Sequence, residues 1–129
     1  MKIILLTILV GLMLSCERPE DKYVKRFDRV DISKTTIPTM GYATDAMQIR
    51  AKAQAENGCW SKIYFEFRRT EPFNYTLKAY GTYESFGACP EILVTQDTVI
   101  DFQPMEKGTY LFHVSRSANE IDVDTLVVE

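Results

Sequence analysis

From Phe27 onward the chain alternates apolar and polar residues with period two. MQIRAKAQA (47–55) sets Met47, Ile49, Ala51, Ala53 and Ala55 on one face, with Gln, Arg and Lys between them. KIYFEF does the same with Ile63, Phe65 and Phe67, and FNYTLKAYG with Phe73, Tyr75, Leu77 and Ala79. EILV, TVIDF, TYLFHV and IDVDTLVV follow later. Alternation rich in β-branched and aromatic residues marks half-buried strands. The pattern predicts seven: 28–36, 47–55, 60–68, 73–83, 91–102 with a kink near Gln96-Asp97, 109–116 and 121–128. No segment after the N-terminus carries a helical stripe, and there are no internal repeats.

Asn57-Gly58 separates two of these runs, and its register can be tested on paper. A two-residue turn would pair Ala55 with Trp60 and Ile49 with Glu66, setting an apolar face against a polar one, a slip that strand pairing resists. Two alternatives survive. A three-residue loop with Gly58 in a bulge would pair Ala55 with Cys59 and Ile49 with Phe65. Otherwise the two strands belong to opposite sheets. Both put Cys59 on the inward face with Ile63 and Phe65.

The first residues read differently. Lys2 gives a short positive start, and Ile3–Leu14 is apolar apart from Thr7 and Gly11. Twelve such residues fit the core of a secretory signal, about 7–15 long, and fall short of the ~20 a spanning helix needs. Met13-Leu14-Ser15-Cys16 resembles the lipobox of bacterial lipoproteins, with Met where Leu is usual. The resemblance implies removal of residues 1–15 and a diacylated Cys16 as the first mature residue. Two acyl chains hold a protein stably at a membrane where one does so only marginally. The expected location is therefore the bacterial cell envelope, with the outer membrane as the expected membrane and its face left open. ERPEDKYVKR (17–26) is charged and aperiodic, so residues 16–26 read as a lipidated N-terminus and tether ahead of a single domain, 27–129.

Composition narrows the function. Without residues 1–15 the chain keeps 114 residues, enough for one domain with a real core. The net charge is −3, one unit more negative without Lys2, and the basic residues are scattered. That is no electrostatic footprint for nucleic acid. Three cysteines, Cys16, Cys59 and Cys89, leave one unpaired in an exported protein. A lipid on Cys16 leaves the other two to pair in an oxidising compartment.

EKGTYLF (106–112) is similar to the D-x-G-x-Y-x-C segment leading into the sixth strand of immunoglobulin-like domains, with Phe112 in place of the cysteine. The resemblance implies an all-β, immunoglobulin-like antiparallel β-sandwich of about seven strands, with Tyr110 as the tyrosine-corner residue. Loops after the second, fourth and sixth strands of such a sandwich gather at one end. Cys59 and Cys89 then become neighbours, as a disulfide requires.

No catalytic, cofactor or metal constellation is found. His113 is the only histidine. A four-residue turn, Ser117–Glu120, would place it opposite Asp124 on the outer face, as a cross-strand partner rather than a base. It would also put Asp122 and Asp124 on that outer face, and Val123, Thr125 and Val127 with Tyr110, Phe112 and Val114. Zinc needs more ligands than one His and two Cys supply. The best contact candidate is AYGTYESFGACP (79–90): Tyr80, Tyr83 and Phe86 amid Gly and Ser have the composition of loops that bind through rigid aromatic area. Pro38–Ala46, with Met40 and Tyr42, is a weaker second. The expected function is a non-catalytic binding or assembly module, anchored through its lipid and open to a protein or glycan partner. A protease inhibitor of immunoglobulin-like fold and a structural subunit of an envelope complex are the alternatives. The loop motifs of chagasin-like inhibitors are absent.

Overall fold

The computed structural model describes residues 22–129. The expected signal segment, Cys16 and the first part of the expected tether lie outside the described residues. The chain is all-β: β1 (Val24–Thr36), β2 (Met40–Gly41), β3 (Met47–Ala55), β4 (Trp60–Glu71), β5 (Asn74–Ser85), β6 (Val94–Phe102), β7 (Gly108–Ser117) and β8 (Glu120–Val128). They form one curled sheet in the order β2-β8-β7-β5-β1-β3-β6, with β4 on the other edge of β5.

The curl is possible because β1 belongs to both halves. Val24–Val30 pairs antiparallel with β5, and Asp31–Thr36 pairs antiparallel with β3. A bulge at Ser33 lies in the second segment, where the hydroxyl of Ser33 donates to the Lys52 carbonyl (3.2 Å). Bulges add twist, which helps turn the strand from one half to the other. Val24–Arg26, expected in the tether, therefore open a strand. Their charges hid the pattern: the Arg26 guanidinium sits 4.3 Å from the ring centre of Tyr83, a cation–π contact on the inner side of the sheet.

Three further expectations change. The sheet is mixed rather than antiparallel throughout. β2 runs parallel to β8, and β5 pairs with β7 in parallel over Asn74–Leu77 and Leu111–Val114. β6 has no kink, since its register with β3 is unbroken from Ala55↔Val94 to Met47↔Phe102. The β7–β8 turn closes on Ser117↔Glu120, with a register shift at Arg116. That extra residue turns Arg116 toward Asp122 (2.9 Å) and Thr35 (2.7 Å) and moves every later pair by one. His113 faces Val123 rather than Asp124. Leu126, not Val127, shares the inward face with Tyr110, and Asp122 and Asp124 fall on that same side.

β3 and β4 do not pair; β3 lies between β1 and β6, and β4 pairs with β5. Of the two alternatives for the Asn57-Gly58 turn, the three-residue hairpin is excluded, and the strands lie unpaired in opposite halves of the curled sheet. Across the interior, Ala51, Ala53 and Ala55 are small where Trp60, Phe65 and Phe67 pack into the same cluster. A second cluster gathers Ile49, Phe102, Tyr110, Phe112, Leu126 and Val128. The Tyr110 hydroxyl donates to the Glu106 carbonyl at 2.8 Å, a bond back to nearby backbone.

The β4–β5 turn shows how packing overrides local preference. Pro72 and Phe73 are its central residues, and Phe73 has φ 65°, a conformation that bulky residues avoid. Its ring lies 5.0 Å from Tyr110, and its carbonyl accepts from Leu111 N (2.8 Å). Gly108 makes room: its φ is +152°, and a Cβ there would meet the Phe73 ring at 2.8 Å. Gly108→Ala is expected to cost about 2 kcal/mol through backbone strain and displacement of that ring, read as a lower urea midpoint. A midpoint equal to wild type would mean that Phe73 does not anchor the turn.

Candidate functional site

Along β5 the odd-numbered residues Leu77, Ala79, Gly81 and Tyr83 face inward, and Asn74, Thr76, Lys78 and Tyr80 face out. Parity alone therefore separates two residues of the aromatic stretch. Tyr83 packs edge-on against Trp60 (5.4 Å between centres), and its hydroxyl donates to Cys89 Sγ (3.3 Å). Phe86 is 69% exposed at the loop end, with its ring 4.8 Å from Tyr23. Tyr80 stacks on Tyr64 of β4 at 5.6 Å and 24°. Tyr80, Tyr83 and Phe86 thus occupy three different surroundings and make no common patch.

The disulfide joins Cys59 to Cys89 and ties the β3–β4 turn to the loop after β5. Gly58 N donates to the Pro90 carbonyl beside it (2.8 Å), and the Asn57 side chain accepts from Cys59 N (3.0 Å). Trp60 lies beneath this staple. Its Nε1–H is the one fully enclosed side-chain polar atom without a hydrogen-bond partner among the described residues. Sealed from solvent and edge-on to Tyr83, it is a packing group rather than a ligand contact.

The outer face of β4, β5 and β7 is different. Tyr64 stands opposite Tyr80, Glu66 opposite Lys78 and Arg68 opposite Thr76, while Thr76 is also opposite His113 of β7. Parallel pairing of β5 with β7 ends at Leu77↔Val114, and β5 continues against β1 from Ala79. The sheet forks there. A basin of about 390 Å³ lies at the fork, lined by Thr70, Glu71, Asn74, Thr76, Lys78, His113, Ser115 and Ile121.

Two details give the basin chemical character. Asn74 Nδ2 donates to the Pro72 carbonyl (3.1 Å), so its Oδ1 meets His113 Nε2 (3.1 Å) and that ring nitrogen carries the hydrogen. Ser115, 4% exposed as a residue, borders the basin, and its hydroxyl is not among the enclosed polar atoms left without a partner. His113 and Ser115 are two residues apart on one strand face and are not bonded to each other, so the pair lacks the contact of a base with its nucleophile. Glu71 and Lys78 line the basin without forming an ion pair with one another among the described residues.

The basin and the Tyr64–Tyr80 stack adjoin, with Lys78 between them on the same strand face. Tyr64 is 57% exposed. Together they form a strip spanning residues 74–80 of β5, roughly 20 Å at ~3.4 Å per residue. Sequence reading included Tyr80 and missed Ser115, Asn74 and Tyr64, because the fork depends on which strand lies beside β7. Comparison with descriptions of protein families, with curated proteins and with solved structures finds no match for this chain.

Proposed function

We propose that the protein is a non-catalytic binding module of the bacterial cell envelope, anchored through a lipid on Cys16, that holds a short neutral glycan along the outer face of β4, β5 and β7. The observation that carries this is a polar basin, lined by Asn74, Thr76, His113 and Ser115 among others, that adjoins the Tyr64–Tyr80 stack. The basin offers hydroxyls, an amide, an imidazole, one carboxylate and one ammonium. Such a set donates and accepts without a dominant charge, which suits a ligand of many hydroxyls better than an ion. Tyr64 and Tyr80 add flat apolar area for the carbon face of a sugar ring. The fold that fits this reading is a variant of the immunoglobulin-like sandwich. The Tyr110 bond, the β7–β8 hairpin and the β1–β3–β6 group support that assignment, while β5 stands beside β7 with parallel pairing.

The test is calorimetric titration and amide chemical-shift mapping with maltohexaose, cellohexaose, xylohexaose and chitohexaose. At least one is expected to shift Thr76, His113 and Ser115. Tyr64→Ala/Tyr80→Ala and Ser115→Val are each expected to weaken it at least tenfold, while Tyr42→Ala leaves it unchanged. If none of the four shifts these residues, the glycan reading fails. An envelope protein crosslinked to wild type but not to Tyr64→Ala/Tyr80→Ala would instead make this face an assembly surface.

A further inference from the structure

The end of the domain that carries the disulfide also carries five exposed apolar side chains: Tyr23, Val24, Phe86, Ile92 and Leu93. Tyr23 packs on Phe86, and a Cβ added at Gly58 would meet Ile92 Cγ1 at 3.2 Å, so the loop after β5 and the start of β1 share one end. The loop is held rather than loose, because Cys89 is bonded to Cys59 and the Pro90 carbonyl accepts from Gly58.

The described chain starts at this same end. Six residue steps separate Lys22 from Cys16, and a fully extended chain covers at most about 20 Å in that span. If Cys16 holds acyl chains, the exposed end is kept within that distance of the bilayer surface. The opposite end also exposes Met40 and Tyr42, but the 12-residue β5 spans from one end to the other, roughly 40 Å at ~3.3 Å per residue. Position relative to the anchor, not apolarity alone, distinguishes the two.

We propose that Tyr23, Val24, Phe86, Ile92 and Leu93 form a membrane-contacting surface that rests against the phospholipid interface. The proposal rests on the lipidation of Cys16 included above. Phe86, Ile92 and Leu93 supply apolar area for the acyl boundary. Tyr23 is suited to the interface itself, where an aromatic ring with a polar tip sits well. The surface gives the lipid attachment a preferred orientation. The outer face of β4, β5 and β7 then runs away from the membrane along the strands instead of lying against it.

The experiment uses the full lipidated protein reconstituted in phosphatidylcholine vesicles whose acyl chains are brominated. Phe86→Trp is compared with Tyr42→Trp, each carrying buried Trp60 as the common background. The expected result is loss of at least half of the added fluorescence for Phe86→Trp and no loss for Tyr42→Trp. Adding Ile92→Ser and Leu93→Ser to the first variant is expected to restore it. Equal quenching of the two probes, or none, in a protein whose N-terminal peptide carries acyl chains by mass spectrometry overturns the surface and leaves the anchor standing. An N-terminal peptide without acyl chains overturns anchor and surface together.

Discussion

Phe112→Ala is expected to destabilise the domain by about 3–5 kcal/mol, the range for removing a large ring from a packed core. Phe112 is fully buried. Its ring centre lies 5.4 Å from Phe102, 5.7 Å from Tyr75 and 6.1 Å from Phe67. These rings come from strands on both sides of the interior, so none can move into the space without leaving its own partners. At an m-value near 2 kcal/mol/M, the urea midpoint should fall by roughly 1.5–2.5 M. Phe27→Ala is the matched control. Phe27 is 76% exposed, and its loss should stay within about 0.5 kcal/mol. Similar midpoints for the two variants would place the core elsewhere.

Removing the disulfide with Cys59→Ala/Cys89→Ala should cost about 3.6 kcal/mol in the chain-entropy account, for a closed loop of 30 residues. The loss has a local side as well. Cys89 Sγ accepts from the Tyr83 hydroxyl, and Tyr83 and Trp60 pack beneath the staple. Hydrogen exchange should therefore quicken first in residues 56–60 and 85–92, ahead of β7. The same midpoint in oxidised and reduced protein would mean that the loop ends are held together without the bond. Uniform exchange across the chain would show that its effect is wholly on the unfolded state.

What could be read in advance depended on how local the cause was. Ile49, Ala51, Ala53 and Ala55 alternate in sequence, and all are buried, because a strand's period is a local property. The pairing of Cys59 with Cys89 followed from cysteine parity and from gathering two loops at one end. Strand neighbours were another matter. No feature of Asn74–Leu77 announces a parallel partner in Leu111–Val114, since that choice is made by packing among strands far apart in the chain. The bulge at Arg116 was equally hidden. A single extra residue leaves the apolar pattern intact and reverses which side of β8 is buried. The candidate basin depends on both features, so sequence reading could find Tyr80 and not Ser115.

The double membership of β1 bears on mechanical load. A pull on Lys22, as a membrane-held tether would exert, acts along the strand whose residues 24–30 are bonded side by side to β5. Seven residue pairs then carry the tension together in shear instead of opening one after another. Because the same strand continues into its pairing with β3, withdrawing it would part both halves of the sheet at once. The N-terminal strand is thus the clamp through which a force between the proposed anchor and a ligand on the outer face would pass.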